Sequence, residues 1–509
     1  MVALRAGDSL HPPGTLAAGA GSRGRGGGSR RGGVPAFRLG PPAQTLRAEE
    51  RGLDGSALFP GRHHRLDAAA VRTAGRTPMR VLIDARALLG RFSGVARFIT
   101  SLVDALAERE GVEVFALCGS EPDGRMPRYC APSRRRQPAR CSRTPSASGE
   151  ERTGPPSREM LEPWHNGRNV TWIPTDFSRA HRRWRRRWWW ERRTLGQWLQ
   201  RLDVDVFHAT WNTGVPVRSP VPVVLTVHDL IPWDDPAGHF ATRTDRWAYR
   251  AALRGSVRRA SAITTVSRYV RDRVVSELGA DPSRVHVVEN GVTLPPEHRR
   301  RSDDGPAYVL YVGGHESRKN VDGVFRTLAL YWERYDDPIG VKLTGTPDCL
   351  SPAAAKAYEA LPAHWADRVE FLGEVEESRL TDLYGNALCL LFLSRSEGFG
   401  LPVLEAMAHG CPVVAADRTA LPEVVGGAGT LLDPDRPDHA ADALRRLRTD
   451  ANLRHERIRR GRERAARFTW ARTADRMLDV YRRLLGTRPE WADRPPHSAP
   501  EPVPSNAVA

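Results

Sequence analysis

Lysine is nearly missing from this chain: Lys319, Lys342 and Lys356 stand alone, and arginine supplies the other 74 of the 77 basic residues. So uniform a bias reads as a property of coding, and it removes the warrant for treating each arginine cluster as a binding site. Long apolar runs are missing as well. No stretch of about 18 apolar residues occurs, which excludes a membrane-spanning helix, and the first 30 residues lack the apolar segment of a secretory signal. The six cysteines are scattered, with no C-x-x-C pair and no histidine at zinc spacing. That excludes the usual structural zinc sites and leads to the expectation of a reduced, cytoplasmic protein.

What is present in excess is positive charge, a formal +17 over 509 residues. Its location decides its meaning. Residues 1–78 carry 12 arginines against five acids and residues 121–200 carry 18 against eight, so these two segments hold the whole excess and the rest is balanced. A nucleic-acid-binding protein using its basic segments is therefore the alternative reading, and no nucleic-acid partner is expected for the neutral bulk. The run GSRGRGGGSRRGG (21–33) cannot bury a core, and residues 1–78 are expected to form a disordered Arg/Gly-rich tail. Residues 487–509 read as a disordered Pro-rich tail.

Between the tails, short β-branched runs alternate with helical periods, as an α/β fold with doubly wound parallel sheets requires. RVLID (80–84), VEVFAL (112–117), VDVFH (204–208), VPVVLTVH (221–228), AITTV (262–266) and VHVVE (285–289) form one series. A break poor in apolar residues at 293–306 reads as a linker. A second series follows from AYVLYVGG (307–314) through IGVKLTG, RVEFLG, ALCLLFLS, CPVVAA and GTLLD, with one helix capped by Asn320 and another started by Pro402. The expected domains are 79–300, with a basic insertion at about 121–193, and 301–470, followed by a helix at 471–486.

The stretch SEGFGLPVLEAMAHGCPVV (396–414) carries the chemistry. Gly398 and Gly400 allow backbone to approach a ligand, and Pro402 suits a first helical turn. The amides of Val403, Leu404 and Glu405 are then expected to face an anion at the helix start. Glu397 and Glu405 can border one pocket, and carboxylates are acceptor-only groups suited to sugar hydroxyls. In YVGGHESRKN (311–320) a glycine turn leads to adjacent cations, Arg318 and Lys319, preformed positive groups at the start of a helix. Lys319 is one of the three lysines in an arginine-saturated chain, which suggests a site that wants a compact point charge.

This constellation resembles the E-x7-E signature of the retaining glycosyltransferases of family 4, mannosyltransferase-like members with the GT-B fold. The likeness runs through residues 79–486. It implies two Rossmann-like domains facing a central cleft, an acceptor-side domain first and a donor-nucleotide domain second, with the final helix crossing back onto the first. It implies that Glu405 holds ribose hydroxyls and that Glu397 lies beside the donor sugar, with amides of Phe399 and Gly400 nearby. Lys319 and Arg318 are implied to clasp the diphosphate, Arg318 standing in for an arginine that many members carry where this chain has Gly314. His228, in VVLTVHDLIPW (223–233), is implied to touch the transferred sugar. The catalytic set is thus Glu397, His228, Lys319 and Arg318. The donor-binding set is Glu405, Gly398, Phe399, Gly400, Leu401, Val403, Leu404, Gly314, Val375 and Gly94.

The implied reaction moves a hexose, mannose favoured, from a nucleoside-diphosphate sugar such as GDP-mannose to a hydroxyl of a glycan or lipid-linked acceptor. Configuration is retained, and no cofactor and no metal is expected. A related sugar-nucleotide epimerase is the second alternative. The D-x-D matches DVD (203–205) and DPD (433–435) read as the lead into a strand and as a turn. HRRWRRRWWWERRTLGQWL (181–199) carries five tryptophans among arginines. On a helix, Trp184, Trp188, Leu195 and Trp198 share a stripe that suits either an anionic membrane surface, with the enzyme peripheral on the inner face of the cytoplasmic membrane, or packing into the domain.

Overall fold

The computed structural model describes residues 78–486 except 90–92, 120–163, 166–168, 176, 178–186, 188–189, 193, 296–306 and 336. Both tails, most of the basic stretch before residue 193 and most of the expected linker lie outside the described residues.

Two sheets account for the strand series. The first contains β1 (Met79–Asp84), β2 (Val112–Cys118), β3 (Trp164–His165), β4 (Val170–Pro174), β5 (Val206–Ala209), β6 (Val223–Val227), β7 (Ala262–Thr265) and β8 (Val285–Val287). Their order is β3-β4-β2-β1-β5-β6-β7-β8, parallel throughout except for β3 against β4. The second contains β9 (Tyr308–Tyr311), β10 (Gly340–Leu343), β11 (Val369–Phe371), β12 (Cys389–Phe392), β13 (Val413–Ala416) and β14 (Thr430–Leu432), ordered β11-β10-β9-β12-β13-β14 and wholly parallel. Strands such as β4, β6 and β13 are buried at every residue, which is why they read as continuous apolar runs and not as alternation.

The helices that matter for the site are α1 (Gly94–Ala107), α2 (Leu195–Arg201), α3 (Arg268–Leu278), α4 (Val321–Tyr335), α5 (Glu377–Asn386), α6 (Leu401–Ala408), α7 (Ala451–Ala465) and α8 (Trp470–Leu484). Setting β3 aside, each sheet is laid down outward from its first strand in both directions. That order leaves a crevice at the carboxyl ends of the strands where the direction reverses, β1 beside β5 and β9 beside β12. This is the two-Rossmann, GT-B architecture.

The stretch read as a basic insertion holds a core strand. VTWIP forms β4 and pairs with β2 from Val114 opposite Val170 to Cys118 opposite Pro174. Five residues ending in proline among arginines gave too short a signal, and proline is tolerated there because it ends the strand. Part of the aromatic patch is core as well. Trp190 lies edge-on to Phe177 at 5.3 Å and under the Arg86 guanidinium at 4.6 Å, and the half-buried Trp198 packs on the same cluster. Trp184 and Trp188 lie outside the described residues.

Asn320 does not cap α4 with its side chain. It adopts a left-handed conformation, φ 56°, and its carbonyl accepts the amides of Gly323 and Val324. Its Nδ2 donates to the carbonyls of Leu393 (3.1 Å) and Pro434 (3.0 Å), which ties the α4 start to the loops after β12 and β14.

The last helix belongs to the first core. α8 buries Trp470, Ala474, Met477, Leu478, Val480 and Tyr481 with residues of β1, β2 and α1. The five larger of these side chains at about 1.5–3 kcal/mol each give on the order of 10 kcal/mol of gross burial. Arg109 anchors it further, through Asp475 (2.7 Å) and the Ala471 carbonyl (2.8 Å). The Asn290-Gly291 turn admits this crossing, since a Cβ on Gly291 would lie 2.3 Å from the Trp470 amide nitrogen.

Candidate active site

The loops after β9 and β12 flank the reversal point of the second sheet, and a single cluster joins them. A one-turn helix, Ser317–Lys319, brings the two cations up. Lys319 Nζ donates to Glu397 Oε1 at 2.7 Å, Arg318 Nη1 stands 3.5 Å from the same oxygen, and Arg318 Nη1 donates to the Ser396 carbonyl at 3.2 Å. The backbone is tied too: the Arg395 amide donates to the Arg318 carbonyl at 2.8 Å, and the Glu397 amide donates to Thr419 Oγ1 at 3.1 Å. Burial pushes the Glu397 carboxyl up. Lys319, Arg318 and the hydrogen bonds outweigh that and hold it below the ordinary carboxylate range. Two cations and one ionised carboxylate thus converge within 3.5 Å.

Glu405 lies on the buried face of α6, and its two oxygens have different partners. Arg97 of α1 reaches Oε1 at 2.8 Å from the first half of the molecule, and the Tyr384 hydroxyl of α5 donates to Oε2 at 3.2 Å. Burial raises its carboxyl above the ordinary range, against the pull of Arg97 and Tyr384. Neither partner was singled out from sequence. An arginine three residues after Gly94 shares its helix face, but nothing in the chain announces which carboxylate lies opposite.

The amides of Val403 and Leu404 are not free for an anion. Both donate to the Gly400 carbonyl, at 3.0 and 3.4 Å, because Gly400 enters the helix in the left-handed region, φ 102°, and turns its carbonyl over the first turn. Phe399 and Leu401 are buried, the former edge-on to Phe468 at 6.1 Å. The Gly314 carbonyl accepts the Tyr311 hydroxyl. Val375 is half-buried on the core beneath α6.

Gly398 makes its close approach to protein. A Cβ there would lie 1.9 Å from the His228 carbonyl oxygen, and the Gly398 carbonyl accepts Ser267 Oγ at 2.8 Å. The halves also meet where Glu423 accepts the amides of Arg268 and Tyr269 at the start of α3, and where Gly94 stands 3.6 Å, by its would-be Cβ, from Leu401 Cδ1. The described conformation is closed at this seam. Beside the seam a cleft of about 610 Å³ remains, lined by Ile231, Asp234, Asp235 and His239 of one half and by residues 313–318 and Ser396 of the other.

His228 sits at the end of β6 with its ring edge-on to Phe98 at 4.8 Å. Its Nε2 donates to the Thr210 carbonyl at 2.9 Å, so only the other ring nitrogen remains for a substrate. Burial pushes it down to about 4. His208, one strand over, is pushed to about 3 by burial and by His228. Its nitrogens meet the Tyr481 hydroxyl at 2.7 Å and Thr226 Oγ1 at 2.6 Å. Unfolded histidines protonate near 6.5, so between that value and about 4 the unfolded state binds more protons. Stability should therefore fall as pH drops through this window, by on the order of 3 kcal/mol per histidine. Calorimetry from pH 7 to pH 4 checks this, with a shallower slope expected for His208→Asn; a flat profile would contradict neutral burial.

The D-x-D pairs have other tasks. Asp203 pairs with Arg80 at 2.7 Å and Asp205 accepts the Arg80 amide at 2.7 Å. Asp433 and Asp435 pair with Arg418 and Arg395.

Residues 92–294 match the family described as Glycosyltransferase Family 4, and residues 297–464 match the one described as Glycosyl transferases group 1. The chain belongs to glycosyltransferase family 4. It is 27% identical over 299 residues to O-antigen chain mannosyltransferase B of Escherichia coli, covering 56% of this chain and 77% of that protein. It is 33% identical over 233 residues to D-inositol 3-phosphate glycosyltransferase of Acidothermus cellulolyticus, covering 42% and 52%. For that relative, and for O-antigen chain mannosyltransferase RfbU of Salmonella typhimurium at 60%, the match spans little more than half of the relative's length. Among solved structures, sucrose-phosphate synthase of Thermosynechococcus elongatus superposes with a TM-score of 0.56 at 18% identity, covering 80% of this chain and 99% of that one. WaaG, a glycosyltransferase involved in lipopolysaccharide biosynthesis, gives 0.55 at 15%, covering 79% and 99%. These two share the fold of this family 4 glycosyltransferase.

Proposed function

We propose that this glycosyltransferase moves a hexose, mannose favoured, from a nucleoside-diphosphate sugar to a hydroxyl of a glycan or lipid-linked acceptor, with retention and without a metal. The observation that carries the reading is the convergence of Lys319, Arg318 and Glu397 at the crevice of the donor-side sheet. In this reading the ammonium of Lys319, with three donors, keeps Glu397 ionised while meeting the diphosphate, whose charge grows as the glycosidic bond breaks. Glu397 accepts a hydroxyl of the sugar, and the leaving phosphate takes the acceptor's proton on the same face. The seam at Gly398 keeps water from the sugar.

Two relatives named as mannosyltransferases favour a mannosyl donor. Relatives named for inositol 3-phosphate raise a phosphorylated acceptor as the second possibility. Asp234, Asp235 and Glu316 line the cleft together with His239 and Arg318, and Asp234 is already paired with Arg273.

A thermal-shift screen of GDP-, UDP- and ADP-sugars tests the donor. GDP-mannose at about 100 times its Kd should stabilise the protein by about 2.7 kcal/mol. No shift with any sugar nucleotide would end the reading. Glu405→Ala should weaken the bound donor by about 1.5–3 kcal/mol in isothermal titration, the cost of losing a hydrogen bond to a charged group. Unchanged affinity would remove Glu405 from the ribose.

A further inference from the structure

The first turns of α1 and α6 face each other across the seam. Gly94 and Arg97 lie three apart on α1, Leu401 and Glu405 four apart on α6, and each pair shares a helix face. Gly94 meets Leu401, and Arg97 meets Glu405 at 2.8 Å. The guanidinium also stands 3.5 Å from Glu377, the first residue of α5, two positions after Val375. Arg97 therefore bridges the first half of the molecule to two acidic residues that flank the nucleoside position of the second. Its side chain is a quarter exposed and that of Glu405 nearly buried, so the pair is screened little by solvent.

A carboxylate that must accept hydroxyls has to stay ionised and hold its orientation. Tyr384 fixes one oxygen of Glu405 from within the donor half, and the cation that fixes the other comes from the acceptor half. We propose that Arg97 is a positioning residue for the donor: by reaching across the seam to Glu405 it completes the nucleoside pocket only when the two halves are together. This inference rests on the reading of Glu405 as the ribose-binding carboxylate, and it couples donor affinity to domain closure through one side chain.

The test is isothermal titration of the full chain with GDP, UDP and ADP, carried forward with whichever binds the wild type most tightly. Arg97→Ala should weaken that nucleotide by about tenfold, the cost of a lost charge-assisted contact. Arg97→Lys should restore it to within about threefold, since a point charge replaces the planar fork. In a Glu405→Gln background, removing Arg97 should cost nothing further, because both act through one contact. A role confined to stability would move the thermal midpoint and show neither the rescue nor the non-additivity. Should Arg97→Ala fail to fold, Arg97→Gln carries the same expectation. Equal or tighter binding by the Arg97 variant, or losses that add with Glu405→Gln, would overturn the proposal; tighter binding would mean that Arg97 stands in the ribose's place. A wild type that binds none of the three nucleotides would instead remove the donor reading itself.

Discussion

Lys319→Ala is expected to lower kcat by about 10²–10³ at saturating donor, the effect of removing a preorganised charge from a developing oxyanion. The structure raises the stake beyond one lost charge. Lys319 is buried, holds Glu397 Oε1 at 2.7 Å, and has its ammonium 5.3 Å from the Phe392 ring centre. Without it the burial that pushes the Glu397 carboxyl up is opposed chiefly by Arg318 at 3.5 Å, so Glu397 becomes easier to protonate. The variant should thus lose rate more steeply than the wild type as pH falls. Lys319→Arg should not rescue fully, because a planar fork does not fit where one ammonium sits between ring and carboxylate. Release of nucleoside diphosphate gives kcat, and a value within threefold of wild type would exclude Lys319 from the chemistry.

Gly398→Ala is the second large effect, and its origin is steric. The added methyl would lie 1.9 Å from the His228 carbonyl oxygen, 2.9 Å from the His228 carbonyl carbon and 3.0 Å from Asp229 Cβ. Backbone of the opposite half cannot turn aside as a side chain end can, so either the halves part or the loop bearing Glu397 moves. A displacement of about 1 Å at reacting groups costs roughly 10² in rate. We expect a loss of kcat of that order with a thermal midpoint close to wild type, because the contact lies between the two cores. Gly385→Ala, on α5 with nothing within 4 Å of the new methyl, is the matched control and should leave the rate unchanged. Wild-type activity in the Gly398 variant would mean that catalysis does not pass through this closed seam.

Much of this organisation was legible beforehand, for reasons visible in particular residues. Strands buried on both faces write themselves as apolar runs, and RVLID, AITTV and CPVVAA therefore announced their place. VTWIP did not, because a short strand ending in proline among arginines carries too little pattern. Arg318, Lys319 and Glu397 stood out because a glycine turn with adjacent cations and an acid before a glycine loop are chemical signals that each fit within a few residues. Asn320 was read as a side-chain cap from its position before a helix, and the Val403 and Leu404 amides as free donors. Each reading failed because a neighbour, the Leu393 and Pro434 carbonyls in one case and the Gly400 carbonyl in the other, made the competing bond.

The chain by itself determined most strands of the two sheets and the types of group available for chemistry, because these follow from local periodicity and side-chain character. It could not determine that Arg97 meets Glu405, that Gly398 touches His228, or that α8 completes the first core. Those contacts join residues from 170 to about 400 positions apart, and distance along a chain carries no information about which surfaces closure will press together. Only packing of the two halves decides that.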